Sequence, residues 1–408
     1  MNIGIITFYR VANFGANLQA VSTYYYLLNN GHNPLFIQYE SDKSHNTFCK
    51  VQTYEIQKQE HIKFIDSTIT NQSIRCKNAE EINAIINKYN LDGIIIGSDA
   101  ILQHHPLRTR IKRGKRKPFY IIPMIPERLF PNCFWGCGIQ EQTPIAMMSV
   151  SSQNSAYKYF SKKQRQNMEI QLKRMTYISV RDTWTQNMVA SISNNTIIPP
   201  ITPDPVFAFN MNAGPLIPTK EKLIYQYKLP EKYVLISLLH QDLTIEQMKQ
   251  LKEEFSLFNI HCVAFAMPVG IRFKHPFNYT IDIPLPILDW YGLIKYAYAY
   301  IGSNMHPIIV SLHNGTPFFS LDYWGTTDFW GNHKNDGSSK VEHILKVFGL
   351  EQYRATINKG KCDINIKEIV HNIINFPKEL VLKKSELLLQ EYKNMMEQIL
   401  NSFQTNLK

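Results

Sequence analysis

The chain has 408 residues, 44% of them hydrophobic and 19% charged, with a formal net charge of +11. That balance describes a folded, enzyme-sized protein, excludes a chain too polar to bury a core, and suggests two or three domains. No apolar run approaches the roughly 18 residues that cross a bilayer, and Met1 to Phe8 reads as a buried strand without a basic leader or cleavage site, so a cytoplasmic protein is expected.

Strand and helix signals alternate from the first residue. Ile3 to Phe8 is followed by a loop, Tyr9 to Phe14, and by a helix whose Leu18, Val21, Tyr25 and Leu28 fall on one face. Asn29-Asn30-Gly31 ends that helix, and Pro34 to Tyr39 reads as the next strand. Asp92 to Gly97 is a wholly apolar run of the kind buried on both faces, and Ser98 and Asp99 emerge at its carboxyl end. An irregular insertion comes next, at about 103–144. The strands Ala146–Val150 and Tyr177–Val180, a helix near 161–175 and another from Asp182 complete a first α/β half, 1–209.

Asn210 to Thr219 combines Gly, two Pro and Asn with little periodicity and reads as a linker. A second alternation covers 220–376. Its strands are expected at 233–238, 262–266, 298–302 and 318–321, with helices near 244–257, 286–297, 306–314 and 339–348. From Pro377 to the end, 377–408, Leu388, Tyr392, Met395, Ile399 and Phe403 recur at helical spacing, so a long helix should pack across the domains. Two successive α/β halves predict two doubly wound domains facing one another across a cleft.

The charge is concentrated: Arg108, Arg110, Lys112, Arg113, Lys115, Arg116 and Lys117 place seven positive charges in ten residues of the insertion. Few aromatic residues interleave with them, which argues against nucleic acid. A solvated loop is one reading. The other is attraction to anionic lipid, or to the diphosphate of a membrane-carried substrate, at about 1 kcal/mol per basic residue near the surface. Six cysteines, at 49, 76, 133, 137, 262 and 362, show no CxxC spacing, so free thiols and no metal site are expected, with Cys133 and Cys137 a weak pair of ligands at best.

The segment Tyr298 to Ser320 carries the clearest chemical signal. An apolar strand runs into Ser303 and His306, then a helix striped by Ile308, Ile309 and Leu312, closed by Asn314-Gly315. Polar side chains at the carboxyl end of a strand sit where open α/β sheets bind ligands, and His306 lies where a helix amino terminus favours an anion. Spacing alone leaves open whether His306 binds a ligand or merely caps the helix.

Several segments together resemble the polysaccharide pyruvyl transferase family over about 1–350. They are Asn13-Phe14-Gly15-Ala16-Asn17-Leu18-Gln19, Gly97-Ser98-Asp99, Ser179-Val180-Arg181-Asp182, Asp204-Pro205, the Ser303 to His306 turn, and Ser338-Ser339-Lys340-Val341 before Phe348-Gly349-Leu350. The resemblance implies two Rossmann-like domains in a glycosyltransferase-B-like arrangement. It also implies transfer of the enolpyruvyl unit of phosphoenolpyruvate to sugar hydroxyls, commonly as a ketal. By it His306 is a catalytic candidate, Arg181, Lys340 and Ser303 fall on the donor side, and Asn13, Asn17 and Ser98 fall on the acceptor side. No cofactor is implied beyond phosphoenolpyruvate as donor. The expected partner is a glycan acceptor, free or lipid-diphosphate-linked, with peripheral contact to an anionic membrane through Arg108–Lys117.

The residue types suit that donor. A phosphate and a carboxylate on one small molecule call for a planar fork such as Arg and a point charge such as Lys. An imidazole with an ordinary pKa near 6.5 suits proton transfer, either to the methylene carbon or in support of the leaving phosphate. Many relatives place an acid where this chain has Ala16, which leaves Asp99 as the substitute candidate for the general base, or as a ligand of a sugar hydroxyl. Tyr9, Phe14, Trp135, Trp324 and Trp330 either stack on sugars or pack the core. Fold does not fix function, so a nucleotide-sugar glycosyltransferase and a non-catalytic glycan-binding relative are the alternatives.

Overall fold

A computed structural model describes residues 1–48, 52–113, 118–323, 325–330, 333–357 and 364–406. Lys115, Arg116 and Lys117 of the basic run, Trp324, Cys49 and Cys362 lie outside the described residues.

The first half is a five-stranded parallel sheet. Its strands are β1 (Asn2–Ile6), β2 (Asn33–Phe36), β3 (Gly93–Asp99), β4 (Ile145–Val150) and β5 (Tyr177–Val180), in spatial order β2-β1-β3-β4-β5. β-Branched residues in β1 and β3 are buried on both faces, which is why these strands read as continuous apolar runs. The second half is a six-stranded parallel sheet of β6 (Tyr233–Ser237), β7 (His261–Phe265), β8 (Tyr279–Ile281), β9 (Ala299–Gly302), β10 (Phe318–Asp322) and β11 (Arg354–Thr356). Its order is β8-β7-β6-β9-β10-β11. Each sheet starts near its middle, runs to one side and then returns past its first strand. The strand order therefore reverses between β1 and β3 and between β6 and β9, and a crevice opens at the carboxyl ends of both pairs.

Six helices frame this crevice and tie the halves together: α1 (Phe14–Asn29), α2 (Gln52–Thr68), α3 (Ile287–Tyr296), α4 (Met305–Asn314), α5 (Lys340–Phe348) and α6 (Lys378–Asn406). The halves share one continuous core that runs from Ile3 and Leu18 to Leu293, Phe318 and Met395. Phe14 stacks on Trp290 of α3 with ring centroids 4.8 Å apart. Gln57 of α2, fully buried, both donates to the Leu285 carbonyl at 2.7 Å and accepts from its N–H at 2.8 Å, as a neighbouring strand would. The long helix α6 crosses the seam. Its Ser385 hydroxyl donates to Leu312 O of α4 at 3.1 Å, while the Met395 sulfur accepts from Ser149 and Ser179 of the first sheet at 3.2 and 3.3 Å. Phe403 closes over Gly93, where a Cβ would strike its ring.

Two expectations change. Asn210–Thr219 is no free linker: Phe209–Ala213 forms a short helix against α1, where Asn212 donates to the Ser22 carbonyl and hydroxyl at 3.0 Å. Side-chain amides supply the partners that a Gly/Pro-rich sequence hides from periodicity. Where it is described, the insertion is also structured, with a hairpin pairing Ile111–Lys112 with Tyr120–Ile121 and two 3-10 turns, Pro126–Arg128 and Cys133–Trp135. Trp135, like Tyr9 and Phe14, is core, whereas Trp330 is exposed. No described helix is long and apolar enough to cross a membrane.

Burial pushes the Cys133 thiol up to about 12 and Cys137 up to about 11, so both are protonated at neutral pH. Among the described residues no group of three His, Cys, Asp or Glu side chains converges to hold a metal.

Candidate active site

The loop after β1 shapes one wall of the crevice. Asn13 caps α1, its side-chain oxygen accepting from Ala16 N at 3.2 Å, and it stands exposed at the rim. Asn17 is fully buried and ties this loop together. Its amide donates to Val11 O and Asn13 O at 2.7 and 2.8 Å, and its oxygen accepts from Arg10 N at 2.9 Å. Ser98, also buried, donates to Ser149 O at 2.9 Å. Neither side chain reaches the cavity, so both of these acceptor-side candidates act on the walls and not at their surface. Asp99, the next residue, does reach it, with its backbone at φ +128°, a region that side-chain-bearing residues rarely adopt.

α4 supplies the opposite wall. Its cap residue Asn304 makes no side-chain capping bond, and His306 is the second residue of the helix. α1 begins so close to His306 that a Cβ on Gly15 would collide with the imidazole ring, which explains why the motif after Asn13 carries glycine.

Four side chains converge from distant parts of the sequence. Arg181 Nη1 donates to Asp204 Oδ2 at 2.6 Å, and His306 Nε2 lies 3.9 Å from the same oxygen. The Gln19 amide donates to Asp204 Oδ2 and lies 3.3 Å from His306 Nε2. The other carboxylate oxygen accepts from Val206 N at 2.9 Å, which holds Asp204 rigid. Burial opposes the Asp204 charge, yet the Arg181 guanidinium, helped by the Val206 N–H, holds its pKa below the ordinary carboxylate value. His306 moves down as well: burial, aided by the Arg181 charge, outweighs the attraction of Asp204, so the imidazole is neutral in the free protein. Arg181 does not pair with its neighbour Asp182, whose carboxylate caps the next helix at Thr185 N (2.7 Å) and accepts from the Ser151 hydroxyl (2.7 Å).

Lys340 opens α5. The helix is anchored by its cap residue Ser339, which donates to Asp322 Oδ2 at 2.6 Å, and by Arg354, which pairs with Asp322 and Glu342 at 2.9 and 3.2 Å. Burial, and then the Arg181 charge, lower the Lys340 pKa to about 8.

Asp99, His306 and Lys340 line one cavity of about 670 Å³ between the halves. Arg181 and Asp204 open onto a smaller one of about 310 Å³, and Lys340 borders both. Ser303 lies on neither wall; its hydroxyl faces Asp242 Oδ2 at 3.4 Å. The convergent residues not named as site candidates from sequence are Gln19 and Asp204. Both stood in legible motifs, Leu18-Gln19 and Asp204-Pro205, but nothing in their spacing says that they meet at His306.

Two parallel doubly wound domains with a histidine-bearing crevice at both switch points define a glycosyltransferase-B-like fold. The family model for polysaccharide pyruvyl transferases matches residues 13–325, and the chain belongs to that family of transferases. No curated protein sequence matches it. Among solved structures, the chain is similar to the UDP-GlcNAc 2-epimerase of Neisseria meningitidis bound to UDP-GlcNAc, at TM-score 0.52 and 9% identity over 98% of this chain and 100% of the other. A second UDP-N-acetylglucosamine 2-epimerase aligns at TM-score 0.51 and 8% identity, over 95% and 90% of the two chains. At such identity these likenesses describe the fold alone.

Proposed function

We propose that the protein transfers the enolpyruvyl group of phosphoenolpyruvate to a glycan hydroxyl, and that a second hydroxyl of the same sugar closes a cyclic ketal. The observation that carries this reading is the convergence of Arg181, Asp204 and His306, with Lys340 bordering both cavities. Lys340 and the amino terminus of α4 suit the phosphate, and the Arg181 fork suits the carboxylate. A donor bearing both anions raises the pKa of the neutral His306, which then takes up a proton and hands it to the methylene carbon. Asp204 stabilises the imidazolium while it lasts. Protonation leaves positive charge at C2, the acceptor oxygen bonds there, and its proton passes to Asp99. The C2–O bond to phosphate breaks, inorganic phosphate leaves with the proton held by Asp99, and the second hydroxyl adds to the same carbon as its proton returns to His306.

The acceptor, a glycan free or lipid-diphosphate-linked, enters from the Asn13 and Asp99 side of the larger cavity. Incubation with phosphoenolpyruvate and candidate oligosaccharides should release phosphate and leave a pyruvyl-bearing glycan. Turnover with nucleotide sugars alone would instead make it a glycosyltransferase. An unchanged cellular glycan on replacing His306 would make it a binding relative.

A further inference from the structure

The hairpin of the insertion breaks the usual alternation of a strand: Phe119, Tyr120, Ile121 and Ile122 are all exposed. A second hairpin, Thr326–Thr327 with His333–Lys334, comes from the other half of the chain and sets Phe329 and Trp330 beside it. The two are joined. Arg113 N donates to Phe329 O at 3.1 Å, the Phe119 and Phe329 ring centroids lie 6.0 Å apart, and the Arg113 guanidinium lies 5.0 Å from the Trp330 ring. Phe119 is 64%, Ile121 55% and Trp330 60% exposed, which makes a contiguous apolar surface of a kind that marks an interaction site.

The charge around it has mainly one sign. Arg108, exposed and resting on Tyr159 at 5.2 Å, joins Arg110, Arg113 and Lys334, against Asp328 in the second hairpin and Asp336 just beyond it. A second copy of the chain would bring like charges face to face, whereas an anionic bilayer complements them. We propose that this two-hairpin surface docks on an anionic lipid bilayer, with Phe119, Ile121, Phe329 and Trp330 entering the headgroup region and Arg108 and Arg113 meeting lipid phosphates.

Both hairpins lead into the site. The chain beyond Ile122 reaches the wall of the larger cavity at Ile125 and Arg128, and the second hairpin continues to Lys340. Docking therefore holds the cavity at the membrane, where a lipid-carried glycan is presented. That last step rests on the transfer reading; the docking does not, because binding is measured without donor or acceptor.

The test is co-sedimentation of the full chain with vesicles of phosphatidylcholine alone and of phosphatidylcholine mixed with phosphatidylglycerol. Binding is expected only to the mixed vesicles, weakening with salt. It should fall at least about tenfold in F119S/I121S/W330S and in R108E/R113E, since each basic residue near an anionic surface contributes roughly a factor of five. Thermal melting confirms that these surface variants fold. Failure of the wild type to bind, or binding undiminished from wild type in both variants, would overturn the proposal. So would light scattering that shows a dimer broken by the triple substitution, with no vesicle binding.

Discussion

Asp204 faces Arg181 and His306 through a single oxygen, at 2.6 Å and 3.9 Å, so one buried carboxylate joins the two halves of the protein. Arg181 and Asp204 belong to the first half and His306 to the second. Charge that appears on His306 therefore acts on the Arg181–Asp204 pair through that same atom.

Replacing Asp204 with Asn leaves the 7%-exposed Arg181 guanidinium without its counter-ion. Breaking a buried pair in this way costs about 3–5 kcal/mol, whereas an apolar double replacement of both partners is often neutral. Urea unfolding should show that loss for D204N and recovery of much of it in R181M/D204L, with both variants inactive. Full stability in D204N would show that the pair does not stabilise the fold.

Gly15→Ala tests the close approach of α1 to His306. Gly15 has no positive φ, so the backbone accepts alanine and the clash falls on the imidazole ring. A displacement of about 1 Å costs on the order of 100-fold in turnover, and the melting temperature should change far less. Wild-type turnover in this variant would show that the ring position does not matter.

The pH dependence of kcat/KM for phosphoenolpyruvate reports the free enzyme. With Lys340 near pKa 8, its charge is lost as pH rises through that value, and kcat/KM should decline there. Lys340→Arg keeps the charge and should abolish this alkaline limb, at some cost in rate from the different geometry. An alkaline limb that persists unchanged in K340R would assign it to another group.

Acid sensitivity arises from histidines held neutral. Burial lowers His61, His104 and His313 from 6.5 to about 4, and His313 keeps its Nδ1 against Ile309 O at 2.8 Å. Between those values the unfolded chain binds protons that the folded chain refuses, so stability is full above about 6.5 and falls as pH drops toward 4. The depressed Asp204 adds a further loss at lower pH, as its carboxylate is protonated in the folded state. Denaturant midpoints measured from pH 7 to pH 4 should fall steadily; a flat profile would refute the neutral-histidine assignment.

Much of the architecture was legible because strand burial leaves a local record. β3, β5, β6 and β9 are short apolar runs bounded by turn residues, and α4 with its Gly315 stop was marked by spacing alone. The helices at 42–48, 52–68 and 79–89, the strands β8 and β11 and the helix Ile366–Ile374 were not read. β8 and β11 are edge strands of three residues, too short to show a period, and the buried face of α2 relies on polar Gln57 and His61, which no hydrophobic pattern reveals.

By itself the sequence determined two α/β halves, the strand-end position of His306 and the presence of Arg181 and Lys340, because each is a property of a few neighbouring residues. Only the tertiary structure decided that Asp204 and Gln19 meet His306, that Asn17 and Ser98 serve the walls, and that Arg181 opens onto a second, smaller cavity. These are contacts between residues far apart in sequence. Their partners are set by which strands the sheets bring side by side, and that order leaves no mark in the local pattern.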